Sequence, residues 1–151
     1  MVPKTGLYLL INGLPFIESR GAIPVGIALG YNPILVFISS VIINCLLFFP
    51  IYFGLEILYE RFFSEIRIVK KIVNRVRRKG EPYIEKYGFI GLILFVGVPL
   101  PMTGVYSGTL LAWLAGIQWK KAFPAIVAGV LISASIIILA SLGMIKFINF
   151  F

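Results

Sequence analysis

The chain has 151 residues, of which 60% are hydrophobic and 13% are charged. Soluble domains average about half apolar and about a quarter charged residues, and one domain of this length cannot cover so much apolar surface with polar side chains. The composition therefore predicts a membrane protein. The sequence has one cysteine, Cys45, and neither histidine nor aspartate, which excludes a disulfide framework, a Cys/His zinc site and a Ser-His-Asp triad. We expect neither an ordinary hydrolase or metalloenzyme nor a cofactor.

The first apolar run, from Gly6 to Ile17, is too short to cross a bilayer, since a hydrocarbon core of about 30 Å needs about 20 helical residues. It is followed by a polar segment, Glu18-Ser-Arg20-Gly-Ala-Ile-Pro24, and then by Gly26-x-x-x-Gly30. Proline opens a helical backbone, and this glycine spacing lets two helices pack closely. These features predict a re-entrant helical hairpin with its break at the polar segment.

The next run, from Pro33 to Leu58, is long enough to cross and carries its single charge, Glu56, near one end. It predicts a transmembrane helix. The segment that follows, from Tyr59 to Tyr87, holds nine of the 14 basic and four of the six acidic residues. Positive charge concentrates on the cytoplasmic side of membrane proteins, so this segment is predicted to be cytoplasmic.

The basic segment also has the pattern of an amphipathic helix, because apolar residues recur every three or four positions at Phe62, Ile66, Val69, Val73 and Val76. Gly80 is expected to cap this helix, and Glu81-Pro82 to start a short second one. The cations on its other faces are candidates for contact with anionic lipid headgroups: Arg67, Lys70, Lys71, Arg75, Arg77 and Arg78. The alternative is a topology signal and connector only. Membrane lipids are the expected partners, and nucleic acid is not.

The second half repeats the pattern of the first. A short apolar run from Gly88 to Val98 is followed by Pro99-Leu-Pro101, by Gly104-x-x-x-Gly108 and by apolar residues up to Ile117. If this stretch dips into the membrane and returns, Lys86 and the Lys120-Lys121 pair lie together on the cytoplasmic side, as the positive-inside bias favours. The run from Ala122 to Ile145 then predicts a second transmembrane helix.

The predicted fold is an all-α integral membrane protein made of two inverted repeats, residues 1–58 and 88–151, joined by a cytoplasmic amphipathic linker at 59–87. Each repeat is a re-entrant hairpin followed by one transmembrane helix, an architecture typical of transporters. The alternative is four ordinary tilted crossings, since helices with a proline kink do span membranes. We expect a multi-pass protein of the cell membrane and, because so few crossings enclose little space, a homodimer.

Glu18 and Arg20 are the only opposite charges inside the predicted hydrocarbon region, and ionisable residues there mark functional sites by default. Residues two apart do not share a helix face, so an unwound segment is expected to turn both side chains into one cavity. We predict Glu18 as the proton acceptor and Arg20 as substrate anchor or electrostatic gate. The alternative is a structural ion pair that pins the hairpin.

The predicted second break carries no charge but offers the hydroxyl groups of Thr103, Tyr106 and Ser107. Open helix ends supply partial charges for a polar headgroup or an ion, although these hydroxyls have the alternative role of satisfying freed backbone groups. The predicted site therefore comprises Glu18 and Arg20 together with the residues of the two breaks: Gly21, Pro24, Gly26, Gly30, Pro99, Pro101, Thr103, Gly104, Tyr106, Ser107 and Gly108.

Two stretches resemble a known family: residues 14–30, with Glu-x-Arg-Gly-x-x-Pro at Glu18 to Pro24, and residues 94–116. They are similar to the small multidrug export proteins and, through them, to the wider DedA and VTT-domain superfamily. The resemblance implies two re-entrant hairpins packed with transmembrane helices, and movement of lipids or lipid-linked carriers between leaflets coupled to proton or ion gradients. Gly97 stands where DedA-like members carry an arginine, so the substrate is not carried over.

Three functions remain open from the sequence. The first is a DedA-like transporter that translocates lipids or lipid-linked molecules, coupled to protons through Glu18. The second is a small exporter that exchanges protons for cationic compounds at the same carboxylate. The third is a non-transporting membrane organiser whose basic helix recruits lipids or partners.

Overall fold

The computed structural model describes residues 4–14, 17–100 and 103–150. All the regular structure in these ranges is helical, as the sequence predicts. The helices, in chain order, are α1 (Lys4–Gly13), α2 (Glu18–Ala28), α3 (Pro33–Leu58), α4 (Arg67–Gly97), α5 (Val105–Leu114) and α6 (Trp119–Phe150). A π-helical turn, Tyr59–Phe63, extends α3. Two helical segments are long and apolar enough to cross a membrane, Pro33–Phe63 and Trp119–Met144.

Helix α3 begins where the sequence predicts. The side chain of Asn32 accepts a hydrogen bond of 2.9 Å from the Ile34 N–H, and Pro33 occupies the first helical position, where its missing N–H costs nothing. The helix then continues through the apolar run to Leu58, as predicted. Its 26 residues span about 39 Å, and the positions of the other helices are described below relative to the two ends of α3.

Helices α1 and α2 form a hairpin that opens at the N-terminal end of α3. The hydroxyl groups of Thr5 and Tyr31 lie 2.9 Å apart and bring the start of α1 next to the end of α2. The two helices approach closely at Gly26, where the absence of a side chain makes room for the Tyr8 ring. A Cβ atom at this position would lie only 2.9 Å from that ring. Gly30 has φ +87°, a left-handed conformation that suits glycine and ends α2.

The C-terminal part of α4 and helix α5 form a second hairpin, which opens at the other end of α3. The Tyr52 hydroxyl donates a 2.9 Å hydrogen bond to the carbonyl oxygen of Ile117, just beyond α5. The rings of Tyr59 and Trp113 lie 5.2 Å apart. Lys86 and Lys121 line one cavity, so the segment between them starts and finishes at the same end of the molecule.

The long helix α6 runs antiparallel to α3. Its first residue, Trp119, packs 6.1 Å from Phe53 near the C-terminal end of α3. One apolar cluster, which includes Phe48, Trp113 and Ile126, surrounds the second hairpin. Further along α6, Ala134 joins a separate cluster around the first hairpin, with Tyr8 and Val36. The two hairpins therefore pack against different parts of α6, and their tips are in contact where Glu18 binds the start of α5.

The sequence prediction for α4 is wrong in one respect. A single helix runs from Arg67 to Gly97, without the predicted end at Gly80 and restart at Glu81-Pro82. A glycine and a proline inside a helix are unfavourable by about 1 and about 3 kcal/mol. Tertiary contacts on both sides hold the helix against this preference, because Arg77 binds Trp113 of α5 and Val96 packs on Gly129 of α6.

Candidate functional site

The carboxylate of Glu18 is buried, with 4% of the residue exposed, and it binds the first turn of a helix in the other half of the chain. Its Oε2 atom accepts a 2.9 Å hydrogen bond from the Val105 N–H, and its Oε1 atom accepts one of 3.1 Å from the Tyr106 N–H. The N-cap residue of α5 is Gly104, which has no side chain to accept these N–H groups. Glu18 therefore caps α5 from outside, where the positive end of the helix dipole also favours an anion.

Two backbone features make this approach possible. Gly104 lies directly under the carboxylate, and a Cβ atom at this position would overlap the carboxyl group of Glu18. Glu18 itself has φ +46°, a left-handed conformation that is unfavourable for a residue with a Cβ atom. Such strain persists only where the surrounding contacts fix the residue, and it is concentrated at functional sites.

Arg20 binds the segment between α4 and α5, at the end where α4 stops. Its guanidinium group donates hydrogen bonds to the carbonyl oxygens of Leu100 and Val98 and, over 2.9 Å, to the Thr103 hydroxyl. Val98 is the C-cap of α4, where unpaired carbonyl oxygens carry partial negative charge. The acid thus binds the helix start and the cation binds the helix end, which is the favourable placement for both charges.

A side chain of the second half also donates a hydrogen bond to the first half. The Tyr106 hydroxyl donates a 2.7 Å hydrogen bond to the carbonyl oxygen of Gly13, the last residue of α1. We name the set Glu18, Arg20, Thr103 and Tyr106 the polar clasp. It joins the broken ends of four helices, α1, α2, α4 and α5, at the point where the hairpin tips meet.

The predicted conformation of the first break is wrong. Glu18 and Arg20 lie in the first turn of α2, and Pro24 lies inside that helix, whereas α1 ends at Gly13. An unwound segment is unnecessary because the two side chains reach different targets, one helix N-terminus and one helix C-terminus. An acidic residue in the first turn of α2 also suits the dipole of its own helix.

The remaining predicted break residues have mixed surroundings. Gly21 packs on the Ile17 side chain, and Gly108 on Val96. The Ser107 hydroxyl donates to the Gly104 carbonyl oxygen at 3.3 Å, a contact at the start of its own helix, so Ser107 lies outside the clasp. Pro99 is exposed in the second break, and the predicted site residue Pro101 lies outside the described residues.

The predicted headgroup-binding cations are also divided. Five of them are exposed along α4: Arg67, Lys70, Lys71, Arg75 and Arg78. The sixth, Arg77, is half-buried, with its guanidinium carbon 5.4 Å from the centre of the Trp113 ring. Arg77 therefore differs from the other five cations in its burial.

A group of buried polar side chains lies near the clasp; from the sequence, Asn44 and Ser133 are expected only to pack between helices, and Tyr8, Asn12 and Thr109 have no predicted role. The Tyr8 hydroxyl binds the Val36 carbonyl oxygen and the hydroxyl groups of Ser39 and Ser40. Among the described residues, four buried side chains on four helices each retain a polar atom without a partner: Asn12, Asn44, Thr109 and Ser133. The available signal was the i, i+4 spacing of Tyr8 and Asn12, and of Ser40 and Asn44, within apolar runs.

Three of these polar side chains lie about one helical turn from residues whose contacts fix their position. Helices α1 and α3 run in the same direction, since Thr5 lies next to Tyr31 and Tyr8 lies next to Ser40. Asn12 and Asn44 are each one turn further on. Thr109 is one turn into α5 beyond Val105, which binds Glu18. Asn12 also directly precedes Gly13, which accepts the Tyr106 hydrogen bond, so Asn12 and Thr109 lie close to the clasp.

The described residues contain no group of three His, Cys, Asp or Glu side chains able to hold a metal ion. Neither the curated proteins nor the solved structures match the chain. The family described as "Putative small multi-drug export protein" matches residues 18–136, a segment that starts at Glu18 and includes the whole clasp. That match covers well over half of the sequence, and the chain belongs to this family of export proteins.

Proposed function

We propose that the protein is a membrane transporter that moves lipids or lipid-linked molecules between leaflets, with Glu18 as its proton-sensitive gate. The observation that carries the proposal is the buried carboxylate that holds the N-terminus of α5 through two N–H groups. A contact of this kind depends on the charge of the carboxyl group. The resemblance of both break segments to DedA and VTT-domain proteins implies movement of lipids or lipid-linked molecules as a class, whereas Gly97 in place of their arginine means that no particular substrate is carried over.

In this proposal both hairpins are re-entrant and the two halves are inverted repeats. The hairpins open at opposite ends of α3, at Tyr31 and at Ile117, and their tips meet between these ends. Non-helical backbone inside a bilayer survives only where protein or water satisfies it, and the clasp supplies bonds of this kind to both breaks. The basic helix then faces the cytoplasm, as the positive-inside bias predicts.

The proposed gate depends on how many oxygen atoms of the Glu18 carboxyl group can accept a hydrogen bond, and protonation changes that number. The ionised carboxylate accepts from both Val105 and Tyr106. A protonated carboxyl keeps a good acceptor on one oxygen only and gains an O–H donor, so it holds one of the two N–H groups. Protonation therefore loosens α5 from α2 and exposes the start of α5 to an anionic group of the substrate. In this proposal the side-chain oxygen atoms of Asn12 and Asn44, which have no partner among the described residues, are further polar groups for the substrate.

The transport step is tested by reconstituting the protein into vesicles that contain a fluorescent phospholipid. We expect the wild-type protein to move lipid between leaflets faster than empty vesicles do, at a rate that depends on the pH of the buffer. Glu18→Gln is expected to abolish this pH response, because the amide stays neutral at every pH tested. Glu56→Gln removes an exposed carboxylate outside the clasp and is expected to keep it.

Two outcomes would contradict the proposal. A wild-type rate equal to that of empty vesicles would rule out lipid translocation. An unchanged pH response in Glu18→Gln would rule out the gate.

The family description favours a second candidate, a small exporter of cationic compounds. A membrane carboxylate that exchanges its proton for a cation would serve such an exporter. Addition of a lipophilic cation to vesicles would then release protons from the wild-type protein and not from Glu18→Gln. A membrane organiser, by contrast, would show neither lipid movement nor proton release. A homodimer remains a prediction.

The proposed topology predicts labelling from the same side at two positions far apart in sequence. After Cys45 is replaced, single cysteines at Lys86 and Lys120 are expected to react with an impermeant reagent added from one side, and a cysteine at Tyr31 from the other. The reason is that the segment between the two lysines returns to the end of the molecule where it starts. Labelling of Lys86 and Lys120 from opposite sides would instead support four ordinary crossings.

A further inference from the structure

A cavity of about 1050 Å³ lies where the second hairpin opens, away from the polar clasp. Four of its lining side chains are cationic, and none of its described lining residues is acidic: the cations are Arg77, Arg78, Lys86 and Lys121. They come from two parts of α4 and from the start of α6, so the fold collects them from 45 residues of chain. Asn74 and Gln118 add uncharged hydrogen-bonding groups to the same wall.

Arg77 is fixed in place at this cavity. Its guanidinium group lies over the Trp113 ring, and its Nη2 donates to the Trp113 carbonyl oxygen at 3.3 Å. Its aliphatic stem passes beside Gly116, where a Cβ atom would lie 3.5 Å from the arginine Cγ and Cδ. Gly116 has φ +75°, so the turn after α5 also requires glycine at this point. An arginine held by stacking loses little further entropy when it binds a ligand.

The same arginine has unused hydrogen-bonding capacity. Its Nε atom is buried and has no partner among the described residues. A guanidinium group carries five N–H donors in a planar fork, which matches two oxygens of a phosphate group. Lys86 and Lys121 supply further positive charge at the same cavity. The polar wall therefore has the chemistry of a phosphate site.

The lining of the cavity also has an apolar part, which reaches the outer surface of the molecule. Phe89, Ile90 and Leu92 form this part, and the first two are 49% and 58% exposed. These residues follow Lys86 directly along α4, on the part of the helix that enters the apolar region of the fold. A ligand with a phosphate group at Arg77 thus has an apolar surface for its remainder.

We propose that this cavity binds the phosphate headgroup of an anionic membrane lipid, with the acyl chains along Phe89 and Ile90. The site is distinct from the gate at Glu18 and goes beyond the proposed function, since binding here requires no transport. It also distinguishes the cations of the amphipathic helix. Arg77 and Arg78 belong to the site, whereas Arg67, Lys70, Lys71 and Arg75 form exposed basic surface.

The test is lipid binding to the full chain, purified in an uncharged detergent and followed by native mass spectrometry. We expect phosphatidylglycerol to bind more tightly than phosphatidylcholine. Arg77→Gln and Lys121→Gln are each expected to weaken phosphatidylglycerol binding by about tenfold, since each removes a charge-assisted contact. Matched controls remove the same charge next to the cavity. Arg75 is on α4 with Arg77, and Lys120 is next to Lys121 in the sequence. Arg75→Gln and Lys120→Gln are each expected to change phosphatidylglycerol binding by less than about twofold.

Three results would overturn the proposal. Equal losses in all four variants would indicate diffuse attraction to the basic surface. Equal binding of the two lipids would exclude recognition of the anionic headgroup. Full competition by inorganic phosphate at the lipid concentration would indicate a free phosphate site without a role for the acyl chains. Lys121 is exposed, so its variant remains informative if the loss of Arg77 disturbs folding. Because binding is measured in detergent, its outcome is separate from that of the transport assay.

Discussion

Combining Glu18→Arg with Arg20→Glu is expected to destabilise the chain more than Glu18→Gln does. In the double variant a guanidinium group faces the N–H groups of Val105 and Tyr106, and a carboxylate faces the carbonyl oxygens of Val98 and Leu100. Donors then face donors, acceptors face acceptors, and both charges oppose the helix dipoles. A buried charge left without a partner costs about 3–5 kcal/mol. The measurement is thermal unfolding in detergent, together with the fraction of monodisperse protein.

This variant separates two interpretations of the charged pair. If Glu18 and Arg20 only formed an ion pair that pins the hairpin, exchanging them would keep the pair and preserve most of the stability. The clasp predicts no such rescue, because its partners are backbone groups whose polarity the exchange cannot reverse. Glu18→Gln keeps one acceptor oxygen and is expected to lose only about 1–3 kcal/mol. A double variant as stable as the wild-type protein would therefore refute the clasp.

The parts of the fold that sequence reasoning predicted are those encoded by local patterns. A bilayer sets the length of a crossing helix, so the bounds of α3 and the apolar part of α6 follow from the runs after Asn32 and Ala122. The predicted position of the second break agrees with the structure, since α4 ends at Gly97, just before Pro99, and α5 starts directly after Gly104. In these places one local signal decides the structure.

The parts that sequence reasoning missed depend on partners far away in the chain. Glu18 binds N–H groups 87 and 88 residues later, and no local pattern indicates that a helix starts there in space. The polar segment around Glu18 therefore suggested a loop, whereas it forms the first turns of α2. Likewise, local preference suggested an end at Gly80, but contacts of α4 with Trp113 and Gly129 override it. The cavity beside Arg77 also depends on distant residues, because Gly116 and Lys121 line it together with Arg77.

Gly104→Ala, which adds one methyl group next to the clasp, is expected to destabilise the chain strongly. The backbone at Gly104 has φ −87° and ψ −158°, which alanine adopts without strain, so the effect does not arise from the backbone. It arises because the new Cβ atom would occupy the space of the Glu18 carboxylate. Displacing that group removes two charge-assisted hydrogen bonds and leaves a buried charge, a loss of about 3 kcal/mol or more.

A double-mutant cycle makes this prediction specific to the clasp. Gly54 lies in α3 with open space around it, so Gly54→Ala is the control and is expected to leave the melting temperature unchanged or raise it. In a Glu18→Ala background the colliding carboxylate is absent, and Gly104→Ala is expected to add little further destabilisation. Full additivity of the two substitutions would mean that Gly104 is required for some other reason. Strong coupling between residues 86 positions apart would instead identify the contact between the two hairpin tips as the element on which both the fold and the proposed gate depend.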